Sequence, residues 1–179
     1  MTETIKFRKL HADEIEVRIN QVSEKYTQLL LYKTARTDAN LLDENVGASN
    51  WQSDYKQIKE DIYAGIGIYD ESKQQWIWKW DTGTAGNFEP EKSIASDSFK
   101  RAGFKWGIGR ELYTSPKIAV LNDAIGGAYS RESGGRKYWN LNKPYQTFGV
   151  SKIEYNDKDE ITKLTIVDNR GNVVWSNEH

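Results

Sequence analysis

A chain of 179 residues, 37% hydrophobic and 28% charged, suits one domain with a core and room for a small appendage. It contains no cysteine, which excludes disulfides and thiolate metal sites and fits a reducing cytoplasm; its two histidines, His11 and His179, lie near opposite ends, so no metal or other cofactor is expected. The net charge of −1 conceals a split: residues 100–152 hold ten Lys/Arg against three acids and the remainder fifteen against twenty-three, which predicts a cationic surface on an otherwise anionic molecule.

The N-terminal MTETIKFRKL lacks the apolar segment of a signal peptide, and no apolar run approaches bilayer length, so no membrane partner is expected. Residues 1–12 read as a flexible arm. Ile15, Ile19, Val22 and Tyr26 recur at steps of four, three and four, which predicts an amphipathic helix over Asp13 to Lys25. Gln28 to Tyr32 is an apolar run of strand length. A second helix follows, with Thr34 as its cap, Ala35, Ala39, Leu42 and Val46 on one face, and Gly47 ending it.

Trp51 opens a sheet. Asp61 to Tyr69 alternates, with Ile62, Ala64, Ile66 and Ile68 on one face and Tyr63, Gly65, Gly67 and Tyr69 on the other. Gln75 to Asp81 alternates again, with Trp76, Trp78 and Trp80 on one face, and the polar connection predicts an antiparallel hairpin. The tryptophan row suits either a platform on which bases stack or a core face closed by the next helix. Large aromatics more often fill cores, so the core is the expected place. Gly65 and Gly67 are expected to accommodate a bulky neighbour.

That next helix begins at Pro90, a residue tolerated in a first turn, and carries Ala95, Phe99, Ala102 and Trp106 on one face. Gly107 and Gly109 end it. Its other side carries Lys100, Arg101 and Lys105, with Arg110 just beyond. Residues 114–147 show no periodicity. Gly126-Gly127 and Gly134-Gly135 bracket Tyr129, Arg131, Arg136, Lys137, Tyr138 and Trp139, a composition that suits a mobile surface loop or nucleic acid equally. Phe148 to Tyr155, Ile161 to Asp168 and Val173 to Ser176 read as a three-strand meander.

Ser93, Ala95, Phe99-Lys100-Arg101-Ala102 and Gly107-Ile108-Gly109-Arg110, following a strand, a helix and a Trp-rich hairpin, give the chain a familiar order. Over residues 13–113 it resembles the bacteriophage branch of the Rad-fifty-two-type single-strand annealing proteins. In that superfamily a helix bearing Lys-Arg-Ala lies along a groove that holds the DNA backbone. The resemblance implies DNA contacts by Lys100 and Arg101, and by Lys33 or Arg36 from the second helix. Lys105 and Arg110 extend the same basic face, and Arg131, Arg136 and Lys137 supply cations from the glycine-bracketed segment. It also implies a non-catalytic, ATP-independent protein of the host cytoplasm, assembled as a homo-oligomeric ring or helical filament on single-stranded DNA, with a host single-strand-binding protein as a possible partner.

No G-x-x-x-x-G-K-[ST] is present, which excludes a P-loop ATPase, and no G-x-S-x-G or H-E-x-x-H occurs. A module for duplex DNA or RNA and a metal-dependent nuclease stay open as alternatives. The expected fold is α+β: an antiparallel sheet of three or more strands with a long helix packed across it, then a C-terminal β-meander. The expected division is an arm (1–12), an annealing core (13–113), a basic loop (114–147) and the meander (148–179).

Overall fold

The computed structural model describes residues 5–84 and 90–178. His179 and the first four residues of the predicted arm lie outside them. β1 (Glu16–Val22) and β2 (Tyr26–Tyr32) precede α1 (Ala35–Val46). β3 (Trp51–Ile58), β4 (Asp61–Asp70) and β5 (Gln75–Thr82) lead to α2 (Pro90–Trp106). The C-terminal half runs β6 (Ile118–Leu121), β7 (Ala128–Ser133), β8 (Arg136–Leu141), β9 (Phe148–Tyr155), β10 (Ile161–Asp168) and β11 (Val173–Ser176). The fold is α+β, with antiparallel sheets and, among the described residues, two α-helices. Two compact units form: Lys33–Arg110 with the residues through Lys9, and Leu10–Tyr32 with Glu111–His179.

In the first unit, Thr34 caps α1, its hydroxyl accepting from the Thr37 N–H at 3.1 Å. Leu41 and Leu42 form the buried face of α1, and Gly47, at φ 86°, ends it. β3, β4 and β5 make a three-stranded sheet in that order. Ala64, Ile66 and Ile68 of β4 and Ala102 of α2 are fully buried, and Phe99 of α2 is buried beside them. The Trp106 indole N–H donates to the Ile66 carbonyl at 2.9 Å, and Ser98 Oγ accepts from the Gly83 N–H at 2.9 Å. Trp51, opposite Ile68, meets the Phe99 ring at 6.2 Å and donates to Asp43 of α1. Both helices therefore lie on the isoleucine side of the sheet.

The register of the hairpin overturns the expectation for the tryptophans. Trp80 stands opposite Gly65, Trp78 opposite Gly67 and Trp76 opposite Tyr69. Side chains directly opposite in an antiparallel pair share a face, so the indoles lie with the glycines, away from the isoleucines and from both helices. Ala95 and Ala102 do not receive them. The glycines do accommodate bulky neighbours: a Cβ at Gly65 would come within 2.6 Å of the Trp80 ring, and one at Gly67 within 2.7 Å of Trp78.

In the second unit a six-stranded sheet runs β11-β10-β9-β1-β2-β6, with β7–β8 as a separate hairpin. Val17, Leu29, Val120, Phe148, Leu164 and Ile166 contribute to its core. Asp13 to Lys25 is the end of a short 3-10 turn (Ala12–Glu14), then a strand and a hairpin turn, rather than an α-helix. β1 pairs with β2 across Val17↔Leu31 and Ile19↔Leu29, and Ile19, a member of the supposed helical face, is 37% exposed. The four-three-four spacing is coincidental; β-branched Val17 and Ile19, two apart, suit a strand, and pairing with QLLLY decides the outcome.

Two further expectations change. Residues 5–12 are anchored rather than loose: Phe7 and Leu10 are buried, and Arg8 pairs with Glu44 at 2.8 Å. The supposedly irregular segment holds β6, β7 and β8, with Gly134 and Gly135 at φ 58° and 73° turning the hairpin.

Candidate nucleic-acid interface

α2 divides its basic residues by depth. Arg101 and Lys105, one turn apart, are exposed. Asp81, near the end of β5, sits between them, 3.9 Å from the Arg101 guanidinium and 3.5 Å from the Lys105 ammonium. Lys105 also donates to the Trp80 carbonyl. Lys100 is more enclosed and lies 3.7 Å from Asp97, the acid one turn before it. Arg110 is exposed and bonds back onto the helix end, to the Phe104 carbonyl at 2.7 Å and the Lys105 carbonyl at 2.8 Å. A cation there satisfies C-terminal carbonyls and complements the helix dipole.

Lys79 adds a cation that sequence reading did not single out. Its ammonium lies 4.2 Å from the Trp106 ring centre and donates to the Lys105 carbonyl at 3.0 Å. Burial, and then the nearby Arg110 charge, hold its pKa below the usual lysine value. The face built by α2 and the end of β5 thus carries Lys79, Arg101, Lys105 and Arg110 against Asp81.

The two basic residues at the start of α1 separate. Arg36 is exposed. Lys33, expected at the DNA groove, is buried and bonds both carboxylate oxygens of Asp38, one at 2.6 Å, as well as the Lys100 carbonyl at 3.2 Å. Asp38 is fully buried, and burial, partly offset by Lys33, raises its pKa to about 6. Lys33 ties α1 to α2 and presents no ammonium to a phosphate. Gly103 leaves the space, since a Cβ there would collide with the Asp38 carboxylate.

In the second unit, Arg131, Arg136 and Lys137 all lie on the exposed β7–β8 hairpin. Its register places Arg131 opposite Tyr138 and Arg136 opposite Ser133, on the face that also carries Tyr129. Lys137 points to the other face, opposite Glu132, with its ammonium 4.9 Å from the Trp139 ring centre. Tyr129 and Tyr138 are 52% and 45% exposed, so one hairpin face offers two arginines and two open phenol rings.

Sequence alone missed Asp81 as the acid shared by Arg101 and Lys105. Asp81 closes a run of alternating tryptophans, and only the β4–β5 register shows that it lies on the helix side with Lys79. Among the described residues no three His, Cys, Asp or Glu side chains converge where they could hold a metal ion. No described helix is long and apolar enough to cross a membrane, which says nothing of a β-barrel. No family model, curated protein or solved structure matches the chain.

Proposed function

We propose that the protein binds single-stranded DNA without nucleotide and anneals complementary strands in phage recombination. The observation that carries this reading is the exposed cationic edge of α2, where Arg101 and Lys105 stand on a helix tied to the sheet by Trp106 and Ser98 and Arg110 bonds back onto its end. Cations spaced along a rigid helix neutralise successive phosphates without reading sequence, and base edges stay free to meet a complementary strand. Annealing needs no energy source because base pairing is downhill, which accords with the missing P-loop motif.

The order of elements around Ser93 to Arg110, and its resemblance to the Rad-fifty-two-type annealers, supports the same reading. The finer architecture belongs to it too: α2 laid across the β3–β5 sheet as the DNA-holding element, with a C-terminal meander. So do assembly into a ring or helical filament in the host cytoplasm and an encounter with a host single-strand-binding protein. One 20.6 kDa subunit offers few phosphate contacts, whereas a repeating array joins many on one strand.

Mixing two complementary oligonucleotides with the protein, in buffer without nucleotide, should raise the rate of duplex formation well above the spontaneous rate. Light scattering of the same mixture should report a mass many times that of the monomer. Tighter binding of duplex than of single strands would favour the duplex or RNA module, and loss of full-length DNA on adding magnesium or manganese would favour the nuclease. An unchanged annealing rate would overturn the proposal.

A further inference from the structure

The three-stranded sheet has a second face, turned away from both helices, and it is aromatic. Trp76, Trp78 and Trp80 run along β5, with Tyr63 and Tyr69 on β4 beside them. Gly65 and Gly67 lie beneath the last two indoles. Three ring atoms of Trp80 stand at 2.6–2.7 Å from a Cβ placed at Gly65, and three of Trp78 at 2.7–2.9 Å from one at Gly67. Near-equal distances to several ring atoms mean that each indole lies flat over its glycine. The backbone covers one π-face and the other points outward.

The Trp78 and Trp80 rings are within 22° of parallel at 5.3 Å, and Trp76 meets Tyr69 edge-on at 5.5 Å. Trp76 and Tyr69 are each 37% exposed. Lys56, on β3, holds its ammonium 4.1 Å from the Trp80 ring centre. The acid on the same row, Asp54, accepts from the neighbouring Tyr55 N–H at 2.8 Å. Two half-buried indoles lying flat on the sheet, an exposed third beside them and a flexible lysine over Trp80 match a nucleic-acid strand: rings take bases, and the ammonium swings to the phosphate between them.

We propose that this open face is a base-stacking platform for single-stranded DNA. The proposal rests on the single-strand reading above and assigns base contact to a surface separate from the basic edge of α2. Phosphate contacts depend on backbone charge alone, whereas stacking needs the bases, so a strand lacking bases separates the two.

Full-length protein is titrated with oligo-dT and with an abasic phosphodiester of equal length, at one salt concentration. The wild type should bind oligo-dT about fivefold to a hundredfold more tightly than the abasic strand. Trp78→Leu should remove most of that difference and leave abasic binding unchanged. Trp76→Leu, at the exposed end of the row, should reduce it in the same direction and serves if Trp78→Leu fails to fold by thermal melting. Equal affinity for both strands would overturn the platform and leave the single-strand reading standing. Binding of neither strand at low salt would overturn that reading and the platform with it. A drop in assembly mass with the base preference intact would also overturn the platform, giving the face to a second copy of the chain.

Discussion

Lys33→Met is expected to destabilise the first unit by about 3–5 kcal/mol, the usual cost of stripping one partner from a buried ion pair. Asp38 would keep its place, fully buried beneath Gly103, without the ammonium that now bonds both its oxygens. The effect should depend on pH. Burial already raises Asp38 from 3.8 to about 6. A carboxyl raised in the folded state contributes stability that is full below its unfolded pKa and lost as pH rises through its folded value. Lys33 limits that loss, since its charge and hydrogen bond lower the Asp38 pKa. Without Lys33 the value climbs further, so the deficit of the variant should be largest at neutral pH and shrink on acidification. The double variant Lys33→Met/Asp38→Leu, with neither charge buried, should recover most of the stability. Denaturant melts of the three proteins at pH 7 and pH 5 check this. A Lys33→Met protein as stable as wild type at pH 7 would mean that the pair does not tie α1 to α2.

The second large effect falls on binding. Arg101→Ala with Lys105→Ala removes the two exposed cations of α2 that flank Asp81. Alanine suits a helix, both side chains are exposed, and their ion pairs are weak surface contacts, so stability should change by no more than about 1 kcal/mol. Affinity should fall much further. A single-strand contact carries a salt slope of about −0.7, which corresponds to roughly fivefold in affinity at ~0.1 M salt, so two contacts amount to on the order of twentyfold. In an array the same loss recurs in every subunit. Asp81→Asn should move binding the other way, because it frees both cations from their shared acid. Fluorescence anisotropy with a labelled oligonucleotide reads both variants. If Arg101→Ala/Lys105→Ala bound as wild type does, the strand would not lie along α2.

Local signals carried far in this chain where an element had its own punctuation. Thr34 and Gly47 bound α1, Pro90 and Gly107 bound α2, and clean alternation set β4 and β5. Where the outcome depended on partners, the sequence was mute. The Ile15–Ile19–Val22–Tyr26 spacing fits a helix, but its pairing with QLLLY is non-local and prevails. β7 and β8 are largely exposed and lack a buried face, so only the Gly134-Gly135 turn marked them. β9, β10 and β11 join β1, β2 and β6 in one sheet rather than standing as a small extension, a connection over more than a hundred residues.

The candidate site was legible in part, for the same reason. Exposed cations on and just past a punctuated helix, Arg101, Lys105 and Arg110, could be placed from spacing alone. Lys33 could not, because its fate depends on Asp38 one helical turn away and on the space left by Gly103 in another helix. The tryptophan row was visible as a row, but its face depends on register. A one-residue slip of β5 against β4 would have turned the indoles toward the isoleucines.

Single-strand binding by phosphate contacts without nucleotide is tested most directly by a salt titration of the wild-type protein. Labelled oligo-dT is titrated at several salt concentrations, with no ATP and with excess ATP. Tight binding at low salt, indifference to ATP, and a linear fall of log affinity with log salt are the expected results. The slope should be about −0.7 per phosphate neutralised, so that three exposed cations on one subunit give roughly −2 and an array a steeper value. No binding at low salt, a slope near zero, or a strict requirement for ATP would contradict it.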